Sequence, residues 1–362
     1  PIYFATTLNQ VDCDGGYTGM TQAEFTKVLR REAEAVHYTG QYVVAIDHGG
    51  PWLKDKQSIE RWDTERAMEG VKKSYEAAIL AGYDLIHVDP TVDIFLPKGQ
   101  IIDIHVVVKR TVELILHAEN FRKAHHIAPI SYEVGTEEVH GGLADEKTFD
   151  TFLTGLKAGL AEVGLADVWP CFIVGKVGTD LHTTTFDPEV ARELTAKVRP
   201  YGSYIKGHYT DDVSNPEEYP LSGMGAANVG PEFTMNEYDA LAELEQEEKK
   251  QFEAGRVAQL SHITDVLWQK VYESGRWKKW LHGEEVGKDL KEVNPDRQLW
   301  LVKTGCRYIW QTPEALVARQ MLYDNLEHLG IHAEEVVLMR IEHNMDKYYR
   351  AFNLIDLNDY IK

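Results

Sequence analysis

One unit recurs along this chain: a short β-branched run, then a longer stretch of helical period, at intervals of about forty residues. Strands are predicted near Ile2–Thr7, Tyr42–Asp47, Asp84–Asp89, Ile130–Gly135, Cys171–Lys176, Ser203–His208 and Met224–Val229. Between them Thr21 and Glu24 form a capping box that opens a helix through Ala35. Arg61–Ala81, Ile104–His125 and Glu146–Val163 carry apolar residues three and four apart, and Pro188 stands where a helix tolerates proline. Such alternation argues for parallel strands joined by helical crossovers. An open doubly wound sheet and a closed barrel both satisfy it, and the placement of polar residues separates them. Nearly every predicted strand ends in ionisable or amide side chains: Asn9 and Gln10, Asp47 and His48, Asp89, Glu133 with Glu137, and Lys206 with His208. A barrel gathers all its C-terminal strand ends at one mouth, whereas an open sheet gathers only those at its switch point. The expected fold is therefore an α/β (β/α)8 TIM barrel with a C-terminal helical extension.

The barrel is expected over residues 1–310, with a helical insertion at about 237–295 and the extension over 311–362. Leu299–Thr304 is the candidate eighth strand. Glu237–Arg256 reads as a strongly acidic helix whose run Glu243–Glu248 is expected to be a solvated face. Val257–Ser274 and Pro313–Leu329 read as further helices that cover the mouth or join subunits.

The chain has a net charge of −20, which argues against long nucleic-acid or anionic membrane partners. That charge still permits one small anionic substrate. No apolar run approaches the ~20 residues of a membrane span. No basic-then-apolar leader is seen, and the three cysteines Cys13, Cys171 and Cys306 include no CxxC pair. A reduced, cytoplasmic setting is the expectation.

Asp47-His48-Gly49-Gly50 sets a carboxylate beside an imidazole at a strand end, the residue types of a metal site with an acid/base. Ser131–His140 holds Glu133, Glu137, Glu138 and His140 within ten residues, a ligand set or an acidic loop. His208 is followed by Thr210, Asp211 and Asp212, which could orient it or hold a substrate hydroxyl. His182 follows the fifth strand. Each histidine alone reads as structural; three at strand ends of one barrel point to a metal. His125, His126, His262, His282, His328, His332 and His343 have no evident carboxylate partner and read as structural. No Walker loop, GxGxxG or GxSxG is present. Lys176 and Lys206 stand at strand ends, where a Schiff base is a minor alternative.

Several of these segments coincide with one family. They are Asn9-Gln10-Val11 with Gly15–Thr21, Asp47-His48 with Gly50-Pro51-Trp52, Ile86–Asp89, Gly135–Glu137 with Gly141-Gly142, and His208–Asp211. Asn228–Thr234 and Arg307–Trp310 complete the set. With them the chain resembles the tagatose-bisphosphate aldolase accessory-subunit family, also described as tagatose-6-phosphate kinase-like, whose relatives include metal-dependent ketose 4-epimerases. The resemblance implies a barrel related to the class II aldolases, in which a divalent ion polarises the sugar carbonyl and stabilises an enediolate as the C3–C4 bond breaks or forms. Carried onto this sequence, His48 and His208 become first-choice ligands, and Glu133 and His182 complete the sphere. Asp47 or Asp89 moves the proton on the C4 hydroxyl, with Glu137 a further catalytic candidate. Asn9, Gln10, Lys176, Lys206, Asp211 and Asn228 are candidate substrate contacts, and Arg307 a possible anion partner. Zinc is the first-choice ion, with manganese, cobalt or nickel as alternatives. The implied activity is an aldolase or 4-epimerase on a ketose or ketose phosphate. The alternative is a non-catalytic subunit stabilising a separate class II aldolase, and a homo-oligomer or that aldolase is the expected protein partner.

Overall fold

The computed structural model describes residues 2–97, 100–135, 146–179 and 184–360, which divide into two compact units. The first comprises residues 1–228 and 351–362, the second residues 229–350.

Strands and helices alternate through the first unit: β1 (Ile2–Thr7), α1 (Gln22–Ala35), β2 (Tyr42–Gly49), α2 (Asp55–Ile59), α3 (Thr64–Ala81), β3 (Leu85–Val88) and α4 (Ile104–Ala124). Then follow β4 (Ser131–Gly135), α5 (Glu146–Glu162), β5 (Phe172–Val174), α6 (Pro188–Val198), β6 (Tyr204–Gly207), α7 (Glu218–Leu221) and β7 (Ala226–Ala227). The helices start where local chemistry dictates. The Thr21 hydroxyl accepts from the Glu24 amide and the Glu24 carboxylate from the Thr21 amide, closing the expected box on α1. Asp63, Asp103 and Asp187 cap α3, α4 and α6, the last with Pro188 in its first turn.

All seven strands are parallel and adjacent in chain order. Alternation sorts their side chains into two faces. Ile46, Ile86, Val88, Val134, Ile173 and Ile205 share one face and are fully buried. Tyr3, Ala5, Val43, Ala45, Leu85, Phe172 and Ala226 share the other and pack on one another. Tyr3 of β1 meets Phe172 of β5 edge-on at 5.9 Å, which only a strongly curled sheet allows. The sheet is thus a half-barrel with an apolar lining, and the closed eight-stranded barrel expected from sequence is not formed among the described residues.

The missing strand is accounted for. Leu299–Thr304 lies within α10 (Pro295–Gly305) of the second unit, among α8 (Pro231–Glu253), α9 (Ile263–Ser274), α11 (Pro313–Glu327) and α12 (Ala333–Ala351). Asn294 accepts from the Asp296 amide with Pro295 in the first turn, two helix-start signals that outweigh the β-like appearance of the run. Leu301, Val302 and Gly305 then fall on one helical face, buried with Leu241, Leu267, Val271, Trp277 and Leu322. The final short helix, α13 (Leu357–Tyr360), returns to the first unit.

The acidic run also departs from expectation. Glu245 and Glu248 of α8 are 1% and 0% exposed, so they are not on a solvated face. Glu248 accepts from the Ser261 amide and hydroxyl and from Asn325, and Glu245 from Thr264 and Lys249. Buried carboxylates require such partners, and here they tie α8 to the start of α9. No helix among the described residues is long and apolar enough to cross a membrane.

Candidate metal centre

The inner face changes character at the C-terminal strand ends. Register places Thr7 beside Asp47 and His87 beside Glu133, so one layer above the apolar lining is polar. Lys206 follows on β6, with His208 two residues further on the same side. Simple alternation would send His48 to the opposite face from Asp47. A register irregularity between Ile46 and Gly49 prevents this. His48 takes φ of 49°, and its amide donates to His87 Nδ1 at 3.1 Å instead of joining the ladder. Consecutive residues thereby face the same space. The glycines that follow are required by crowding: a Cβ on Gly50 would stand 1.7 Å from the Asp89 carbonyl oxygen, and one on Gly49 2.8 Å from that of His87.

The result is a compact donor set. Ligand atoms of Asp47, His48, His87 and His208 all lie within 4.8 Å of one another. The ring of His48 lies 5.0 Å from His87 and 4.7 Å from His208, centroid to centroid. Carboxylates and amides fix the rings from behind. Asp89 bonds His48 Nδ1 at 2.6 Å and accepts from Thr91 at 2.5 Å, which leaves Nε2 of His48 as its donor atom. Glu133 is engaged through both oxygens, by Lys206 at 2.6 Å and by His208 Nε2 at 3.1 Å, with His87 Nδ1 at 3.6 Å. Asn228 donates to Asp47 Oδ1 at 3.1 Å.

Burial opposes ionisation of each carboxylate, yet all three remain charged. The charge of His48, with the neighbouring His87 and His208 rings and Lys206, holds Asp47 well below the usual range. The bond and charge of His48 bring Asp89 to about 2. The Lys206 ammonium, with His87 and His208, brings Glu133 to about 2. Burial pulls the His48 imidazole down, but the Asp47 charge and the Asp89 bond together lift it above its ordinary value. Ligation of a metal requires neutral imidazoles, and once His48 gives up its proton three carboxylates stand against one ammonium, leaving two negative charges to be balanced in a largely buried layer. A divalent cation removes that imbalance. Three imidazoles and a carboxylate suit zinc and the neighbouring first-row divalent ions, so the residues present fit such an ion.

The expected site residues divide clearly. Asp47, His48, Asp89, Glu133, Lys206, His208 and Asn228 come together. Glu137 and His182 lie outside the described residues. Asn9 and Gln10 are committed to loop structure: Asn9 donates to the Leu53 carbonyl and accepts from the Asp55 amide, and Gln10 accepts from the Thr7 amide. Lys176 is half-buried beyond β5 and makes no hydrogen bond or ion pair to this centre, while Asp211 is half-buried in the turn after β6. Arg307 belongs to the second unit, where it lies 4.7 Å over the Trp280 ring. Sequence reasoning passed over His87. Its signal is the spacing of two to Asp89, which places both on one face of an otherwise wholly apolar strand.

The sequence model of the family described as D-tagatose-1,6-bisphosphate aldolase subunit GatZ/KbaZ-like matches residues 1–345. A solved structure from Sinorhizobium meliloti 1021, named a probable tagatose 6 phosphate kinase, is 22% identical with a TM-score of 0.80. That match covers 97% of this chain and 93% of the other, and at such identity the likeness is one of fold. A candidate phosphonomutase from Burkholderia cenocepacia J2315 aligns at 16% identity over 59% of this chain and 72% of its own, with a TM-score of 0.36.

Proposed function

This chain belongs to the GatZ/KbaZ-like family of D-tagatose-1,6-bisphosphate aldolase subunits, and on that premise we propose that it is itself a divalent-metal-dependent aldolase or 4-epimerase of a ketose or ketose phosphate, working by retro-aldol chemistry at C3–C4. The observation that carries this reading is the convergence of Asp47, His48, His87 and His208 within 4.8 Å, with both His87 and His208 buried and Asp47 and His48 half-buried at the strand ends.

His48, His87 and His208 would hold the ion, and His87, whose one ring lone pair accepts from the His48 amide, would exchange that hydrogen bond for it. When bound it would supply Lewis acidity toward the sugar carbonyl. Asp47 is the group to move the proton on the C4 hydroxyl: it is held ionised, and Asn228 occupies only one of its oxygens. Asp89 has both oxygens committed, to His48 and Thr91, and serves to fix the His48 ring. Glu133, engaged by Lys206 and His208, likewise orients instead of ligating. Cleavage and epimerisation share the bond-breaking step. They differ in whether the aldehyde fragment leaves or turns and closes on its other face.

The family description also supports a second reading, a non-catalytic subunit that stabilises a separate aldolase. Such a role needs no cluster of ligand-type residues at the strand ends. Metal analysis of the purified protein, with phosphorylated and free ketoses assayed before and after chelation, separates the two. The enzyme reading expects about one divalent ion per chain, chelator-sensitive turnover, and a trapped glyceraldehyde-type fragment. His48→Ala should lose both metal and activity while keeping the fold. Absence of metal and of chelator-sensitive turnover with every ketose would overturn the enzyme reading and favour the subunit role.

A further inference from the structure

The turn that carries His48 is held by a group from outside the centre. Tyr75 projects from α3, and its side chain is fully buried. Its hydroxyl donates to the carbonyl of Gly49 at 2.5 Å. The Asp89 amide donates to the same oxygen at 3.2 Å, so both lone pairs of this carbonyl are used. Gly49 is the residue after His48 and the point where the β2–β3 ladder resumes beyond its irregularity. A Cβ on Gly49 would meet the Tyr75 ring at 2.9 Å, so the ring and the turn are in close contact.

The left-handed conformation of His48 is unfavourable for a residue with a side chain. It persists because its surroundings over-determine it. On one side the His48 amide is bonded to His87, and Asp89 grips its ring. On the other side the bond from Tyr75 fixes the next peptide unit. Without it, the Gly49 carbonyl keeps only the longer bond from Asp89, and the glycine pair can relax toward regular strand pairing. Relaxation of that kind returns His48 toward the face opposite Asp47 and dissolves the donor set.

We propose that Tyr75 is a positioning residue of the metal centre, its hydroxyl locking the irregular turn at Gly49 and thereby the place of His48. The inference rests on the metal reading of the site and adds to it a group that touches neither ion nor substrate.

The test uses the full chain and cobalt(II) as probe, read by chelator competition and by the visible absorption of the bound ion. Tyr75→Phe removes one oxygen and keeps the ring. Affinity is expected to fall about tenfold, within the range that orienting partners of metal ligands contribute, with a changed cobalt spectrum. Tyr132→Phe serves as the structural control, because that buried hydroxyl bonds Glu119 on α4. It should lower the unfolding temperature while leaving affinity and spectrum at wild-type values. Affinity in Tyr75→Phe within twofold of wild type overturns the proposal, as does an equal loss in Tyr132→Phe. Failure of the wild-type chain to bind cobalt overturns the metal reading together with this one, and so is distinguishable from failure of the Tyr75 role alone. Should Tyr75→Phe not fold, hydrogen exchange of the unmodified protein decides. Cobalt must slow exchange at Gly49, Gly50 and Asp89, and no slowing there defeats the proposal.

Discussion

Replacing Lys206 by methionine tests the charge balance of the centre without reference to activity. The Lys206 ammonium is 2.6 Å from Glu133 Oε2, and the two side chains are 2% and 0% exposed. Methionine keeps much of the volume and removes the charge. Breaking a buried pair by deleting one partner costs about 3–5 kcal/mol, because the remaining ion is left uncompensated. For a unit of this size, each kcal/mol moves the unfolding temperature by roughly 2–4 °C, so the metal-free variant should melt roughly 10 °C below wild type. A divalent ion alters the outcome. Glu133 Oε1 already lies 3.1 Å from His208 Nε2 and 3.6 Å from His87 Nδ1. An ion held by those imidazoles would bring a double positive charge into the same layer as Glu133 and would offset part of what the lost ammonium supplied. Saturating zinc or cobalt should therefore recover part of the deficit. Circular-dichroism melting of wild type and Lys206→Met, chelated and metal-saturated, gives the four values needed. A deficit that is the same with and without metal would refute the placement of the ion, and no deficit at all would refute the buried pair.

Asp89→Asn keeps the shape of the group behind His48 and removes its charge; metal affinity should fall about tenfold with the fold intact, measured by chelator competition, and an unchanged affinity would assign Asp89 another role. A third prediction concerns pH. Burial raises the Glu119 carboxyl, but hydrogen bonds from Arg122 and Tyr132 outweigh it and leave the group below its ordinary value. A depressed folded-state value contributes stability that is complete above the unfolded value of about 4.3 and is lost as pH falls through the folded one. Glu119→Gln should thus be less stable than wild type near pH 6–7, with the gap closing as the solution is acidified below about pH 4. Urea unfolding across that range measures it, and a gap independent of pH would count against the ion pair.

Strand positions were legible because buried parallel strands are short β-branched runs between long amphipathic helices, and each of the seven expected strands is present. The eighth failed for a local reason. Leu299–Thr304 has the composition of a strand, but Asn294 and Pro295 start a helix just before it, and counting repeats toward eight favoured the wrong period. Glu245 and Glu248 misled in the opposite way. A charge run says nothing of which members find partners across the chain, and theirs are Ser261, Thr264 and Asn325.

Legibility of the centre follows the same boundary between local and cross-chain information. His48 and His208 stand out because polar residues at strand ends are visible in sequence. His87 is hidden inside an apolar strand, and Lys206 reads as a surface or substrate cation until Glu133 is seen opposite it. Which carboxylates orient and which remain available is likewise a cross-strand matter: Asp89 and Glu133 are committed by partners on β2 and β6, and Asp47 retains an oxygen. The irregular turn at His48 then carries the functional weight. In a regular strand Asp47 and His48 would face opposite sides, and the donor set would lose one of the two. The glycines at 49 and 50 permit the turn, Tyr75 and Asp89 hold it, and the carboxylate and imidazoles it brings together form the donor set that could hold a metal ion.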